Sequence, residues 1–434
     1  MSTHRMNILL VGNAGRENAL ARALARSPRT AILLAAPGNP GIAEFAECVP
    51  VPTSDTGALV DLAASRDVGL VVVGPEKPLV DGLVDALRAR GIPAAGPVAA
   101  AARLEGSKVF AKQTMSRLGI PQAEPYRVFT DFGDAERHLL EGRGPVVVKA
   151  DGLAGGKGVT VARDRPEAVA AARSMLVDGR FGDAGRRVIV EPCLEGEEVS
   201  LLFVCDGERA VPLVSARDYK RVGDGDRGPN TGGMGTHSPG VRPSGRADDA
   251  LMKRVEETVV APLLTGMAEM GAPYRGVLYC GLMLTAEGPK VLEFNCRFGD
   301  PEAQVILPRL RSCLVTLLES AATGSLAGVE LDWDERASLC VVLAAEGYPG
   351  KPRTGDEIHS LDELGPEILV DHAGTRREDG RLVTAGGRVL AVGALGEDLA
   401  DARRKAYAAA AKVRFDGRHY RSDIGAAAAQ EVRG

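Results

Sequence analysis

Three short stretches concentrate side chains that can do chemistry. In VVVKADGLAGGKGVTVA, Val146 to Ala162, two β-branched runs flank a glycine-rich loop, with Lys149 before it and Lys157 inside it. Gly155 and Gly156 free the backbone N–H groups to fold onto a polyanion, and the two ammonium groups add charge, so the stretch suits phosphates. A P-loop lysine would be followed by Ser or Thr at the start of a helix. Here Gly158 and the strand-like Val159 and Thr160 follow Lys157, which predicts a hairpin instead. In EFNCRFGDPE, Glu293, Asn295 and Arg297 alternate and on a strand project from one face. A carboxylate and an amide oxygen suit magnesium, which shares its ligands with substrate phosphates, and a guanidinium can grip a carboxylate or phosphate at two points. In EPCLEGEEVS the link from Glu191 to Leu194 can present backbone groups to a base edge while Glu198 accepts hydrogen bonds from ribose hydroxyls. Solvated acids in a turn are the competing reading of that stretch.

A fourth stretch, GNAGRE from Gly12 to Glu17, lies between a strand and a helix, where helix N-terminal amides bind anions. It is not the dinucleotide fingerprint: the spacing is G-x-x-G, Asn18 stands where the third glycine would be, and the second strand ends in AAPGN without an acid for a ribose. A phosphate or sugar phosphate fits it better than a nicotinamide cofactor. The six histidines are scattered without H-x-x-H or H-E-x-x-H, and no G-x-S-x-G elbow occurs, which argues against zinc and serine-triad chemistry.

These stretches need rigid elements to aim them. Between Met6 and about Pro97 strands alternate with helices: NILLVG, then RENALARALARS, AILLAAP, TGALVDLAAS, LVVVGPE and DGLVDALRARG. Apolar strands alternating with helices imply a doubly wound parallel sheet covered on both faces. Ligands in such sheets sit at the carboxyl ends of strands, where Gly15, Arg16, Glu17 and Glu76 fall. The segment from Gly106 predicts a helix stopped by Gly119 and Pro121. Antiparallel strands follow, with a hairpin turn at CDGER, Cys205 to Arg209. The Gly-, Asp- and Arg-rich section from Asp218 to Gly245 has no periodicity and reads as a functional or disordered loop. A helix is expected around Met252 to Met270, then two strands, then a small α+β unit from about Trp333. The expected domains are 1–105, 106–328 with a mobile lobe at about 123–192, and 329–434.

At 434 residues several compact domains are needed. A net charge of -5 lacks the positive field that nucleic acids or anionic membranes require, so neither is expected as a partner. The longest apolar runs are strand-sized, short of a bilayer span. The N-terminal stretch turns polar too soon for a signal peptide. Seven cysteines without a C-x-x-C pair fit a reducing compartment. A cytoplasmic enzyme, monomeric or weakly homodimeric, is the expectation.

GNAGREN, GPEKPLVDG, LEGSK, VKADGLAGGKGV, RDYKRVGDGDRGPNTGGMG, EFNCRFGDPEAQ, TGDEIH and HAGT, in that order, resemble the glycinamide ribonucleotide synthetase family of ATP-grasp ligases over nearly the whole chain. The resemblance implies ATP held between two α+β lobes, with the opening hairpin as a lid and Lys108 and Lys149 as phosphate partners. It implies adenine contacts from Glu191 to Leu194, ribose at Glu198, magnesium or manganese at Glu293 and Asn295, and Arg297 beside the activated acyl group. Glycine, 5-phosphoribosylamine and ATP are then the substrates, joined through glycyl phosphate. Lys157 would offset charge in phosphoryl transfer, Lys220 and Arg221 would meet the anionic substrates, and Asp218 the amino group of glycine. The family pattern differs at Ala14, Asn18, Tyr219 and Ala303. Those departures keep open a ligase for another amino acid or amine; a non-catalytic nucleotide-binding protein and an NAD-binding enzyme are the more distant alternatives.

Overall fold

The computed structural model of the chain describes residues 4–241 and 245–431. Its first sheet is parallel and five-stranded, in the spatial order Glu47–Cys48, Thr30–Pro37, Met6–Gly12, Val68–Val73, Ala94–Ala95. Alternate side chains of Met6–Gly12 serve opposite faces. Leu9 and Val11 share a core with Leu59, Leu83 and Leu87, while Ile8 and Leu10 share another with Leu20 and Leu24. Helices Thr56–Ser65 and Leu83–Ala89 therefore cover one face and Gly15–Ala25 the other. Each such buried aliphatic contributes roughly 1.5–3 kcal/mol, which explains why the strand has no polar side.

Helix Lys108–Leu118 leads out of this unit. Ser107 caps it by accepting from the Phe110 amide at 3.1 Å, and Gly119 ends it in the left-handed conformation at φ +66°. A four-stranded antiparallel sheet follows, in the order Arg127–Phe129, Val188–Pro192, Val146–Ala150, Val159–Ala162. Helices Phe132–Glu141 and Arg165–Leu176 cover it and give it a separate small core around Val148, Ala168 and Met175. A second antiparallel sheet, Ala210–Pro212, Glu197–Asp206, Arg275–Thr285, Gly288–Asn295, faces it across a cleft. The turn expected at Cys205 to Arg209 closes the first pair, with Asp206 Oδ1 accepting from the amides of Glu208 and Arg209.

The section from Asp218 to Gly245 differs from the expected loop. It forms short strands Arg217–Asp218, Arg221–Gly223, Arg227–Asn230 and Gly235–Ser238. The first and last join Ala337–Ala344, Arg388–Gly396 and Ile368–His372 in one five-stranded sheet packed under helix Leu399–Lys412. Strands of two to four residues are too short to show a period, and Gly235–Ser238 pairs with a strand about a hundred residues away. This sheet takes strands from both sides of residue 328. Residues 242–244 lie outside the described residues. The helix expected around Met252 to Met270 is Gly245–Val255 continued through a π-turn, Glu256–Val260, into Ala261–Glu269. The π-turn sits just before Pro262, which has no N–H for the regular ladder. Among the described residues no helix is long and apolar enough to cross a membrane.

Candidate active site

The cleft between the two antiparallel sheets is built on a buried charge triad. Lys149 comes from the end of Val146–Ala150, Glu191 from Val188–Pro192 beside it, and Lys112 from the helix behind. Glu191 lies 2.5 Å from Lys149 Nζ and 2.6 Å from Lys112 Nζ, with its side chain only 2% exposed. Burial alone would raise the Glu191 carboxyl, but Lys149 and Lys112 outweigh it and hold the group below its ordinary range. Burial lowers Lys112 in turn. The Glu191 carboxylate is thus taken up by two lysines, which leaves the backbone of the Glu191 to Leu194 link for a base edge. Lys112 was not legible as a site residue, although it stands four residues after Lys108 on the same helix face.

Lys149 also donates to the Leu292 carbonyl at 3.1 Å, which ties the lid sheet to the strand Gly288–Asn295. That strand carries the acidic row as the alternation demanded. Phe294 and Cys296 enter the core, and Glu293, Asn295 and Arg297 stand on the other side; a register shift at Leu292 turns Val291 into the core as well. Glu293 has room because it faces Gly281, where an added Cβ would meet Glu293 Cγ at 3.2 Å. Lys108 hydrogen-bonds the Gly152 carbonyl at 3.4 Å; burial lowers its pKa, and Glu293 opposes that shift.

Arg297 is held by two acids from the first domain's side. Glu105 lies 2.7 Å and Glu76 3.3 Å from it. Burial would lower the Arg297 guanidinium, and the two carboxylates reverse this and raise it. Glu105 accepts from the Cys296 amide at 2.6 Å and is buried enough that its pKa rises to about 7 despite Arg297. Glu76 stays below its ordinary range because Arg297 and Arg16 outweigh burial. Arg16 reaches the Phe298 carbonyl at 3.1 Å, so the start of helix Gly15–Ala25 meets the same strand end.

Glu17, expected at the substrate, is used within its own domain. Its carboxylate accepts from the Ala14 amide at 2.7 Å and from Arg16 Nε at 2.6 Å, filling the space that Gly12 and Gly74 leave open. Gly15 packs against Gln304, whose amide nitrogen would be 2.7 Å from an added Cβ.

On the far wall Lys220 lies 3.0 Å from Glu198 and 3.8 Å from Asp218. Burial would lower Lys220, but Glu198 together with Tyr279, Asp218 and Glu293 outweighs it and raises the ammonium well above its ordinary value. Lys220 in turn lowers Glu198. Asp218 is pushed well up by burial, which Lys220 only partly offsets. Glu302 beside it accepts from Ser200 Oγ at 3.0 Å and Tyr279 Oη at 2.9 Å. Gly233, at φ +112°, packs so closely that a Cβ would come within 2.4 Å of Pro301 Cδ and 2.6 Å of Asp218 Oδ1.

Arg221 does not accompany Lys220 into the cleft. It turns onto its own hairpin and donates to the Gly228 carbonyl at 2.9 Å. Lys157 is exposed at the tip of the lid loop, where Gly155 and Gly156 adopt φ of +56° and +75°. The loop rests over the opposite wall, since a Cβ on Gly156 would lie 3.3 Å from the Thr231 carbonyl oxygen.

With this geometry in view, family profiles described as the N, ATP-grasp (A) and C domains of phosphoribosylglycinamide synthetase match residues 6–105, 106–303 and 338–427. The chain belongs to the phosphoribosylglycinamide synthetase family. Phosphoribosylamine-glycine ligases from Rhizobium meliloti and Caulobacter vibrioides are 50% and 51% identical to it, over 97% and 98% of this chain and 98% and 99% of theirs. The crystal structure of phosphoribosylamine-glycine ligase from Thermotoga maritima superposes with a TM-score of 0.82 at 35% identity, covering 96% of this chain and all of that one. The biotin carboxylase domain of Hydrogenobacter thermophilus 2-oxoglutarate carboxylase, solved with MgADP, shares the fold at a TM-score of 0.72 and 17% identity over 96% of this chain and 92% of that one. The chain is an ATP-grasp ligase of mixed α/β architecture that uses ATP with a divalent cation.

Among the described residues no group of three or more His, Cys, Asp or Glu could hold that cation alone. Glu293 and Asn295 provide two hard oxygen donors on one face, a set magnesium accepts when nucleotide phosphates complete its shell. They fit. The family departures sit in other roles. Asn18 Oδ1 accepts from the His372 amide at 2.8 Å, fastening the five-stranded sheet that ends in Ile368–His372 to the first helix. Tyr219 Oη accepts from the Gly425 amide at 3.0 Å, facing the C-terminal segment. Ala303 is buried in the first turn of helix Ala303–Ile306, and Ala14 is the N-cap of Gly15–Ala25. Arg388 pairs with Asp300 at 3.0 Å, and Tyr348 Oη accepts from the Gly232 amide at 2.9 Å; these three, with Glu105 and Glu302, also escaped sequence reasoning. Glu105, Asp300 and Glu302 lie in quoted motifs, while Arg388 and Tyr348 gave no signal because the approach of the C-terminal unit to Gly232 is a tertiary fact.

Proposed function

We infer that the chain performs its family's reaction, the ATP-dependent joining of glycine to 5-phosphoribosylamine through glycyl phosphate, to give glycinamide ribonucleotide, ADP and phosphate. One observation carries this reading: Lys149, anchored by Glu191, hydrogen-bonds the backbone of the very strand that presents Glu293, Asn295 and Arg297. That contact supports a single cleft for phosphate grip, cation ligands and acyl-binding arginine.

Lys108 and Lys149 hold the polyphosphate, the Glu191 to Leu194 backbone meets adenine, and Glu198 meets ribose. Glu293 and Asn295 hold magnesium, with manganese as the alternative; when bound, the cation offsets charge on the β- and γ-phosphates. Arg297 orients the glycine carboxylate toward the γ-phosphorus. A carboxylate oxygen bonds to phosphorus as the bond to ADP breaks, and ADP leaves with the electron pair. Asp218 faces the glycine ammonium, whose charge adds to that of Lys220 in favouring the carboxylate. The amine of phosphoribosylamine then bonds to the carbonyl carbon, phosphate departs with the carbon–oxygen pair, and the amine loses a proton to it. Lys157 on the lid covers the transferred group and keeps water from the acyl phosphate. Gly15 and Arg16, at the first helix start, offer the acceptor its anion site.

The free thiols at all seven cysteines support a reducing, cytoplasmic setting, and a monomer or weak homodimer is the expected state. The activity is tested by measuring magnesium-dependent phosphate release from ATP alone, with glycine, and with glycine plus phosphoribosylamine. Turnover that ignores glycine and responds to another amino acid would replace this assignment by a ligase of altered substrate.

A further inference from the structure

The hairpin Arg221–Gly223 and Arg227–Asn230 is a two-stranded sheet that, among the described residues, pairs with no other strand. Such a ribbon is marginal on its own in water, and its turn holds Asp226 at φ +53°, a conformation side-chain-bearing residues resist. Something else must hold it. That role falls to the C-terminal segment about two hundred residues away. Arg421, only 1% exposed, forks onto both oxygens of Asp423 at 2.7 Å, donates to the Arg221 carbonyl at 3.1 Å and reaches Asp226 Oδ1 at 2.7 Å. Its guanidinium also lies over the Tyr219 ring. Around it Asp423 accepts from the Gly225 amide at 2.8 Å, Asp224 accepts from the Ser422 amide at 2.8 Å and from its hydroxyl, and His419 Nε2 donates to the Val222 carbonyl at 2.8 Å.

The hairpin has a second face. It begins directly after Lys220 and delivers Thr231, whose carbonyl oxygen underlies Gly156 of the lid loop.

We propose that this hairpin is the landing platform for the lid and that Arg421 is a positioning residue which couples acyl-phosphate formation to its use. The proposal rests on the glycyl phosphate reading above. A platform that wobbles lets the lid close loosely, so water reaches the intermediate before the amine does. Arg421 touches no substrate; its effect runs through the backbone of residues 221–231.

The test measures phosphate released and glycinamide ribonucleotide formed in the same samples, for the full chain and for Arg421→Lys, Asp226→Asn and Ser422→Ala. Lysine keeps the charge but cannot fork onto Asp423 while reaching Arg221 and Asp226. The wild type should release one phosphate per product. In Arg421→Lys the ratio should rise about twofold or more, with smaller rises in the two milder variants. Amide hydrogen exchange should quicken over 221–230 and stay unchanged in the first parallel sheet. Product and phosphate falling together at a ratio of one, in variants whose hairpin exchange has quickened, would overturn the proposal. Unchanged exchange in all three variants would overturn it as well, because Arg421 would then not hold the hairpin. Absence of glycine-dependent phosphate release in the wild type would sink the reaction assigned above and leave the hairpin's exchange behaviour as the separate readout. Should Arg421→Lys fail to fold, Asp226→Asn and Ser422→Ala decide the matter, since Asp226 is largely exposed.

Discussion

Replacing Glu191 with Gln is the sharpest test of how the nucleotide grip is made. In the native chain one buried carboxylate neutralises two lysines at 2.5 and 2.6 Å, leaving a single net positive charge for the phosphates. Glutamine leaves two buried ammonium groups facing each other without their anion. Breaking a buried pair by removing one partner costs about 3–5 kcal/mol, a large fraction of the 5–15 kcal/mol that holds a typical domain together. Glu191→Gln should therefore lower the urea midpoint of the lid lobe substantially. Because Lys149 loses its anchor, the KM for ATP should rise about tenfold or more, as expected for about 1.4 kcal/mol of lost positioning. Adding Lys112→Met to this variant returns the net charge to its native value and should recover at least about 1 kcal/mol of the loss, while the ATP KM stays high. The sign with pH follows from the depressed Glu191 carboxyl. Its stabilisation is complete above the unfolded value of about 4.5 and disappears as the pH falls through the lower folded value, so this part of the acid sensitivity should vanish in Glu191→Gln. If the single and double variants melt alike, the three charges are not coupled and this account of the grip is wrong.

Glu293→Ala should cut turnover by about a hundredfold or more and move the magnesium titration to higher concentration, whereas near-normal rates would remove Glu293 from the cation site. Gly233→Ala adds a Cβ within 2.6 Å of Asp218 Oδ1 at a φ of +112°; the glycine KM should rise about tenfold with the ATP KM little changed. Glu105 has a folded pKa raised to about 7, so its contribution to stability is complete below about pH 4.5 and is lost as the pH rises toward 7. Glu105→Gln should flatten the melting profile across that window, read by thermal unfolding at several pH values.

Much of the site was legible because its parts lie in local sequence. Glu293, Asn295 and Arg297 share a face for the plain reason that strand side chains alternate, and the hairpin from Lys149 to Val159 follows from two β-branched runs around glycines. The apolar strands of the first sheet announced a core on both faces, and its helices lie where the alternation placed them. The short strands between Arg217 and Ser238 were hidden, because pieces of two to four residues carry no period and owe their form to partners far along the chain.

What the sequence by itself determined is the inventory and the local geometry: which groups can bind phosphate and cation, which elements carry them, and through ordered motifs the family. Only the tertiary structure decided which charges are spent on each other. The Glu191 carboxylate is taken up by two lysines and that of Glu17 by Arg16 and the Ala14 amide, Arg221 turned away from the cleft, Arg388 reached the Gly232 carbonyl, and Arg421 took hold of the Arg221 hairpin. The reason is physical. A buried charge must find a partner or remain neutral, and that partner is chosen by proximity in space, which residue spacing along the chain does not encode.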